Sequence, residues 1–507
     1  MSKRTAIIDI GSNSARLVIF EATSRYGFHL ICEQKSKVRI GEGAYTKEGY
    51  LQPIGIKRAY LTLRSFVQTI EKYQAKEIHC VATSALRDAP NASLFLAWIK
   101  EELQLDIQVI TGQKEAYYGA TAAVNLLPIT EGISIDIGGG SSDIALIQDR
   151  KIIDTYSLNI GTVRLKELFF EQEQSLEQIN NEAKIYIQEA LQALPSHFKH
   201  TLAIGIGGTA RTLSKAIMKR IDYPLDKLHA FEYSLEAHLD FLEAIPQSSA
   251  KNLKQFSLKK NRYDTIREGT LIFREILLYI GAKNVIASEV GVREGVFLEQ
   301  FINPKIQHFP LDKNPSIHSL LDRFKPIIKI EKKRKSKLNI ATALYETLQS
   351  DIGDQQKYLK ELLWALRLSG IGKTLTIYKT HKHAFYIAQQ ELNYAITHQE
   401  NILVSLLLRM HGNELINETL YTQYASLLPN EETLRWLSFV YTLSVFLHEN
   451  SNDADIRFEY TQKVLTIFSD TPLYLAKEKI KALEKPIAFA IIIEDENRLP
   501  SNKALGI

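Results

Sequence analysis

The sequence predicts an α/β protein with two similar domains followed by an all-helical domain. Its 507 residues are enough for about three domains of roughly 100–200 residues each. The segments DIGSNSARLVIF (9–20) and DIGGGSSDIALI (136–147) repeat one pattern of strand, small-residue turn and strand. After about residue 310, strand patterns largely vanish and long helical segments dominate. We therefore expect three domains, at residues 1–124, 125–305 and 310–507.

Strand and helix patterns alternate along the first domain. After the hairpin, FHLICEQ (28–34) predicts a third strand, and apolar residues at helical spacing predict a helix near 53–73. Asn91 is a typical N-cap residue and precedes a helical pattern that runs to Leu103. Two more strands are predicted at 78–83 and 107–112, and a helix begins near Glu115. This alternation is typical of a sheet with parallel strands.

The second domain repeats this order. Its hairpin is followed by a third strand at 150–160, and helices, strands and a closing strand-helix unit continue to about residue 298. A proline-marked linker from Asn303-Pro304 to Pro315 precedes the helical domain. The last helix of the second domain is expected to pack on the first domain. The helical domain has predicted helices at 338–350, 357–369, 384–395, 399–411 and 431–448.

The composition is ordinary for a soluble, cytoplasmic protein. Hydrophobic residues make up 45% and charged residues 24% of the chain, and the mean hydropathy is −0.14. The longest apolar run, PIAFAIII (486–493), is far shorter than the ~20 residues that span a bilayer. The start MSKRTAIIDIG enters a strand pattern without a signal peptide. We expect no membrane partner, and we interpret Cys32 and Cys80 as core thiols.

The duplicated hairpins are candidate phosphate-binding loops. A turn rich in Gly, Ser and Asn exposes backbone N–H groups and lets an anion approach closely. A single copy is most simply a tight hairpin, but two matching copies, each preceded by an aspartate, favour a clamp for a phosphate group. Asp9 and Asp136 are then candidate Mg²⁺ ligands, because this cation prefers carboxylate and phosphate oxygens. Asp143 adds a third carboxylate; the alternative is a solvated strand residue.

Two further charged residues follow predicted parallel strands, where α/β sheets bind their ligands. Arg87, in the loop ATSALRDAPN, is a candidate to bind phosphate through the paired N–H groups of its guanidinium. Glu115, in TGQKEA, lies near a helix N-terminus that favours its ionised form, so it can act as a base. The alternative for Glu115 is a simple complement to the helix dipole.

These residues carry a resemblance to a known family. The two hairpins look like the phosphate loops of the actin, hexokinase and chaperone-ATPase superfamily, which has two actin-like (ribonuclease H-like) domains around a cleft. Six motifs in order resemble the exopolyphosphatase and guanosine-pentaphosphate phosphohydrolase (Ppx/GppA) family between Ile7 and about Phe301. The motifs are ATSALRDAPNA, TGQKEA, SLNIGTVRL, GIGGTARTL, RYDTIREG and GVREG.

The resemblance implies Mg²⁺-dependent (or Mn²⁺-dependent) hydrolysis at the end of a phosphate chain. In the family pattern the residue matching Glu115 activates the attacking water, and the residue matching Arg87 contacts the terminal phosphate. Asp136 and Asp143 match residues that support the metal, and Arg262 matches a further phosphate contact. The implied substrate-binding residues are Gly11, Ser12, Asn13, Gly138, Gly139, Gly140, Ser141 and Arg262.

The helical domain departs from the family pattern. Longer members carry a domain resembling the His-Asp metal phosphohydrolases, with a metal-binding dyad in a segment of the form LHDIG. Here the segment is LRLSGIGKT, with Ser369 and Gly370 at the dyad positions. We therefore expect a degenerate domain without a metal centre, in which His381, His383 and His411 serve packing or polyanion contacts. Its expected role is to bind the substrate chain or to form a homodimer.

Two basic clusters bear on the choice of substrate. Residues 251–262 carry five basic residues and no acidic one, and residues 323–337 carry eight basic and one acidic. Either cluster is a solvated surface or a polyanion-binding surface. The net charge of +4 is too small to indicate nucleic-acid binding.

The leading interpretation is an exopolyphosphatase that acts on inorganic polyphosphate. Guanosine pentaphosphate as the main substrate is an alternative, as is a non-catalytic polyphosphate or nucleotide sensor. The presence of Glu115 and Asp136 argues against a loss of catalysis. An ATP-dependent small-molecule kinase is a weaker alternative, because TGQKEA and TSALRDAPN do not match it.

Overall fold

The computed structural model describes most of the chain as two compact units. The described residues are 3–44, 48–302, 308–325, 334–352, 358–410, 415–449 and 455–495, without the side chains of 334–336 and 495. The first unit comprises Met1–Pro315 with Asn393–Ile396, and the second comprises Ser316–Leu392 with Thr397–Ile507.

The first unit contains two mixed sheets that start in the same way. In the first sheet the strand order is β3-β2-β1-β4-β5, with β1 to β3 antiparallel and β4 and β5 parallel to β1. The strands are β1 Lys3–Ile10, β2 Ala15–Ala22, β3 Phe28–Ser36, β4 Glu77–Ala82 and β5 Ile107–Val109. The helices are α1 Pro53–Lys72, α2 Ser84–Asp88, α3 Ala92–Leu103 and α4 Gly112–Leu126.

The second sheet has the order β10-β11-β9-β6-β7-β8; β6 to β8 are again antiparallel, β9 and β11 run parallel to β6, and β10 is antiparallel to β11. Its strands are β6 Gly132–Ile137, β7 Ser142–Gln148, β8 Lys151–Leu158, β9 Leu202–Ile206, β10 Glu232–Ser234 and β11 Asn284–Ala287. Its helices are α5 Thr162–Leu165, α6 Leu176–Leu191, α7 Gly207–Arg220, α8 Leu239–Ala244, α9 Ile266–Ile280 and α10 Val292–Phe301. The predicted α/β class with two related sheets is confirmed.

The two repeated hairpins have the same register. Asp9 faces Arg16 across the first hairpin, and Asp136 faces Asp143 across the second. The turns close with equivalent hydrogen bonds: Gly11 N–H donates to Ser14 O at 3.1 Å, and Gly138 N–H donates to Ser141 O at 2.9 Å. The repeat in the sequence is therefore a repeat in backbone geometry.

Helices α4 and α10 each pack on the other sheet of the first unit rather than on the sheet that precedes them in the sequence. Helix α4 follows β5 of the first sheet but packs its alanine face, including Ala116, Ala120 and Ala123, on the second sheet. Helix α10 follows β11 of the second sheet and packs Val296 and Phe297 against the apolar core of the first. This exchange brings the N-terminus of α4, which carries Glu115, to the second sheet.

The second unit is largely helical, but the prediction of an all-helical domain is wrong. It contains a three-stranded sheet of β12 Ile456–Thr461, β13 Val464–Ser469 and β14 Ala490–Asp495. Strands β12 and β13 form a hairpin whose two turn residues, Gln462 and Lys463, have positive φ of 52° and 60°. That geometry usually selects Asn-Gly or Asp-Gly, so Gln-Lys gave no turn signal. Parallel β14 comes from the apolar run near residue 490.

The helices of this unit lie close to the predicted ones. They are α11 Pro315–Arg323, α12 Arg334–Ile352, α13 Leu359–Leu368, α14 Thr380–Glu391, α15 His398–Arg409, α16 Glu418–Tyr424, α17 Glu431–Glu449 and α18 Tyr474–Lys481. Within the described residues, no helix combines the length and the apolar character that crossing a membrane requires.

The positions that would carry a metal-binding dyad hold a polar contact instead. Ser369 Oγ accepts a hydrogen bond from Nζ of the buried Lys337 at 2.8 Å. His381 and His383 lie on α14, whereas His411 lies outside the described residues. Across the described ranges, no group of three or more His, Cys, Asp or Glu side chains is arranged to hold a metal ion.

Candidate active site

A polar cleft that is open to solvent lies within the first unit. Both repeated turns line it, together with the first residues of α7 and α10 and the carboxyl ends of β1, β6 and β9. Because parallel strands end at one edge of a sheet, the fold gathers these chemically active segments at a common place. Of the predicted site residues, those that line the cleft are Asp9, Gly11, Ser12, Asn13, Glu115, Asp136, Gly138, Gly139 and Arg262.

The two turns approach each other closely. A Cβ atom on Gly139 would lie only 2.7 Å from Cβ of Ser12, so a larger residue at 139 would force the turns apart. Ser12 Oγ is also 2.9 Å from Ser84 Oγ, which fixes the first turn to α2. Gly140 and Ser141 are buried and do not belong to the cleft lining; Gly140 O accepts a hydrogen bond from Arg164 Nε at 2.9 Å. The turns thus leave room for an anion but not for a side chain.

Glu115 is buried at the start of α4, with 9% of its surface exposed. Thr111 caps this helix by accepting a hydrogen bond from Lys114 N–H at 3.2 Å. Arg87 lies against Glu115: its Nη1 donates to Glu115 Oε2 at 3.3 Å and to Ile110 O at 3.0 Å. Arg87 is not part of the cleft lining, so the structure brings it to Glu115 rather than directly to the cleft.

The carboxylates of the site titrate abnormally. Burial raises the pKa of Glu115 well above its ordinary value, and the nearby charges of Asp143 and Asp136 raise it further, while Arg87 opposes the shift. Burial also raises the pKa of Asp136 and brings that of Asp9 to about 6, against the lowering effect of Arg293. Concentrated negative charge of this kind favours a bound cation.

The residues fit a divalent cation only if the substrate supplies part of its coordination. Asp9 and Asp136 line the cleft and offer hard oxygen ligands. The described residues contain no complete cage of three or more ligands. Mg²⁺ usually keeps several waters and binds through one or two carboxylates plus substrate phosphates, so the donor set is compatible with it.

Asp143 lies away from this lining. It is 2% exposed, and burial brings its pKa to about 7 although a hydrogen bond from Ser157 opposes the shift. The alternative of a solvated strand residue is therefore wrong. The partners of both of its carboxylate oxygens are protein hydroxyl groups.

Sequence reasoning missed most of the positive charge of the cleft. Of the two arginines expected to contact phosphate, Arg87 and Arg262, only Arg262 lines the cleft, and five further cationic side chains line it: Arg16, Lys35, Lys37, Arg211 and Arg293. Three of these side chains, Arg16, Arg211 and Arg293, lie inside the motifs DIGSNSARLVIF, GIGGTARTL and GVREG. The motifs therefore contained these residues, but the sequence did not show that their side chains reach the cleft. Burial and the neighbouring arginines lower the pKa of Lys35 to about 8.

The arginines are held by fixed partners. Arg211 Nε donates to Ser288 O at 2.8 Å, and Arg293 Nη1 donates to Glu33 Oε1 at 2.9 Å. Arg262 is different, because its buried Nε has no hydrogen-bond partner. A buried guanidinium N–H without a partner points to an anion as its missing acceptor.

The predicted basic clusters are only partly described. Lys259 and Lys260 are exposed next to Arg262. Lys332 and Lys333 lie outside the described residues, as does the side chain of Arg334. The predicted polyanion-binding surface therefore stays a prediction.

Comparison with known proteins identifies the family. The sequence profile of the Ppx/GppA phosphatase family matches residues 18–303, more than half of the chain. The chain belongs to the Ppx/GppA phosphatase family. The predicted family membership is thus confirmed, and residues 304–507 lie beyond the matched part of this Ppx/GppA protein.

Individual relatives agree with this assignment. A bifunctional 3-dehydroquinate synthase/phosphatase of Fusobacterium nucleatum is 32% identical over 310 residues, which cover 58% of this chain but only 46% of the relative. An exopolyphosphatase 2 of Mycobacterium tuberculosis is 27% identical over 317 residues, covering 58% of this chain and 98% of the relative.

Solved structures match the same part of the Ppx/GppA protein. The crystal structure of the Aquifex aeolicus Ppx/GppA family member aligns with a TM-score of 0.51 and 27% identity, covering 59% of this chain and 98% of that one. An exopolyphosphatase from Cytophaga hutchinsonii aligns with a TM-score of 0.55 at 23% identity, over 59% and 99% of the two chains, and supports the fold alone.

Proposed function

We propose that this Ppx/GppA protein releases orthophosphate from the end of inorganic polyphosphate. The observation that carries this proposal is the cation-rich cleft: six Lys and Arg side chains surround two glycine-rich turns and the buried Glu115. A chain with about one negative charge per phosphate needs several cations in a row, and a single phosphoryl group does not.

In the proposed reaction, water attacks the terminal phosphorus directly, the bond from that phosphorus to the bridging oxygen breaks, and orthophosphate and the shortened polyphosphate chain are released. The N–H groups of the two turns hold the phosphate, and the arginines stabilise the charge that develops on its oxygens. In its ionised form Glu115 accepts the proton of the attacking water, and Arg87 orients its carboxylate and opposes the rise in its pKa. When bound through Asp136 and Asp9 together with substrate oxygens, Mg²⁺ or Mn²⁺ supplies charge neutralisation. No covalent intermediate on the protein is required.

The cleft favours polyphosphate over guanosine pentaphosphate as the main substrate. Its lining side chains, within the described part of the chain, are polar, charged or aliphatic, and none is aromatic. Aromatic side chains are the common platforms on which proteins stack a nucleotide base. A phosphate chain needs no such platform, whereas the guanine of the nucleotide would gain little here.

The test is orthophosphate release by the purified full-length protein from long-chain polyphosphate and from guanosine pentaphosphate. Each reaction is run with Mg²⁺ and with excess EDTA, and the Glu115→Gln variant controls for contaminating phosphatases. We expect release from polyphosphate to exceed release from the nucleotide. Absence of release from both substrates would refute the proposed function, and a preference for the nucleotide would refute the choice of substrate.

A further inference from the structure

We propose that Asp143 is a positioning residue that Ser157 holds in place, and that it is not a metal ligand. This inference rests on the proposed function, because Asp143 would act on the water-activating Glu115. It differs from the role that the family resemblance implies for Asp143, and it adds Ser157, the first residue of the motif SLNIGTVRL, to which the resemblance assigned no role.

Both oxygens of the Asp143 carboxylate accept hydrogen bonds from the protein. Ser157 Oγ, from strand β8, donates to Oδ1 at 2.5 Å. Ser141 Oγ, from the second turn, donates to Oδ2 at 3.4 Å. With 2% of its surface exposed, Asp143 does not line the cleft, and its two oxygens face the hydroxyl groups of Ser157 and Ser141. Asp136, on the facing strand, does line the cleft.

The contacts of Asp143 lead to Glu115. Ser141 Oγ, which donates to Asp143, lies 3.4 Å from Nη2 of Arg87 and can accept from it. Arg87 then donates through Nη1 to Glu115 Oε2 at 3.3 Å. Asp143 thus fixes the hydroxyl that fixes Arg87, and Arg87 orients the carboxylate of Glu115.

Ser157 also touches the helix that carries Glu115. Gly112, the first residue of α4, packs so closely against Ser157 that a Cβ atom at position 112 would overlap Ser157 Oγ. The same Cβ atom would lie 3.3 Å from Asp143 Oδ1. One hydroxyl therefore fixes the position of Asp143 and contacts the start of α4. Because Asp143 is buried at this packed junction and does not line the cleft, its carboxylate serves the junction rather than the cleft.

The experiment separates metal binding from turnover. Mn²⁺ binding in the presence of inorganic phosphate is measured by electron paramagnetic resonance for the wild type, Asp136→Asn, Asp143→Asn, Ser157→Ala and Ser157→Thr. The values of kcat and KM for polyphosphate are measured on the same samples, and thermal unfolding checks that each variant is folded.

We expect Asp143→Asn and Ser157→Ala to keep the Mn²⁺ affinity within about threefold while kcat falls ~10–100-fold, as for other residues that orient a functional group. KM should change little, and Ser157→Thr, which keeps the hydroxyl, should recover most of kcat. Asp136→Asn should weaken Mn²⁺ binding about tenfold or more, because ligand charge sets the affinity of such sites.

Two results would overturn the inference. One is a loss of Mn²⁺ affinity in Asp143→Asn as large as that in Asp136→Asn. The other is wild-type kcat in Ser157→Ala, whatever the metal result. Failure of the proposed function looks different, because the wild type itself would then release no orthophosphate.

Discussion

Replacing Glu115 by glutamine tests the proposed chemistry with little disturbance of the fold. Glutamine has the same shape, and its amide oxygen can still accept the hydrogen bond that Arg87 donates at 3.3 Å. With 9% of Glu115 exposed, the packing around the side chain is preserved. The variant therefore loses mainly the ability to take a proton, which is worth ~10²–10⁴ in rate for a positioned general base. This corresponds to ~3–5 kcal/mol of activation free energy.

Substrate binding should not weaken in the Glu115→Gln variant. Glu115 is one of three carboxylates in the cleft lining, beside six cations. Removing its negative charge reduces the repulsion of an anionic substrate, so KM should stay within a few fold of the wild-type value or fall. A loss of kcat without a rise in KM distinguishes a chemical role from a binding role.

The pH dependence adds a second readout. Glu115 must be ionised to act as a base, and burial together with Asp143 and Asp136 raises its pKa above the ordinary glutamate value of 4.5. The rate should therefore fall as pH drops through this raised pKa, at higher pH than for an exposed glutamate. In Glu115→Gln, the part of the fall in rate at low pH that is due to protonation of Glu115 should disappear.

The assay is orthophosphate release at saturating polyphosphate and Mg²⁺ over a series of pH values. Glu131→Gln is a matched control, because its side chain is 60% exposed and does not line the cleft. Turnover of Glu115→Gln within about threefold of the wild type would refute the base role assigned to Glu115.

Three further predictions concern the charges around the substrate. Orthophosphate release should stop in excess EDTA, and Asp136→Asn should raise the Mg²⁺ concentration needed for half-maximal rate; full activity in chelator would contradict both. Arg262→Gln should raise KM about 10- to 100-fold, since the unpartnered Nε is expected to donate to a phosphate oxygen; an unchanged KM would exclude that contact. Neutralising the two basic clusters should weaken the binding of long-chain polyphosphate and reduce the salt dependence of that binding, with a much smaller effect on guanosine pentaphosphate hydrolysis. If the clusters are only solvated surface, a titration of polyphosphate binding against salt will give the same slope for the variant and the wild type. The residues to change are Lys259, Lys260, Lys332, Lys333 and Arg334.

The sequence was informative wherever one short segment determines both structure and chemistry. The repeated hairpins are such a case, because their turn residues and alternating strands fix the register that places Asp9 and Asp136 at equivalent strand ends. The same holds for Glu115, which follows a strand pattern and starts a capped helix. Local pattern and tertiary position coincide at these residues.

Prediction failed where the position of a side chain depends on distant packing. Arg211 and Arg293 reach the cleft because α7 and α10 begin there, and α10 packs on the opposite sheet. Arg87 was expected to contact phosphate directly, but its position depends on Glu115 and Ser141, which come from other elements. Ser157 opens the motif SLNIGTVRL, but only the fold brings its hydroxyl group to Asp143.

The two copies of the duplicated hairpin carry different charges at one equivalent position. The residue opposite the first aspartate is Arg16, and the residue at the same register position in the second copy is Asp143. In the first copy, Arg16 and Arg293 limit the rise in the pKa of Asp9, which reaches about 6. In the second copy, burial and the charge of the facing Asp136 raise the pKa of Asp143 to about 7. One duplicated backbone thus supplies, at the same register position, a cation suited to holding an anion in the first copy and a buried acid suited to orienting a base in the second. Exchanging the charge at either position should therefore impair a different step: binding at Arg16 and turnover at Asp143.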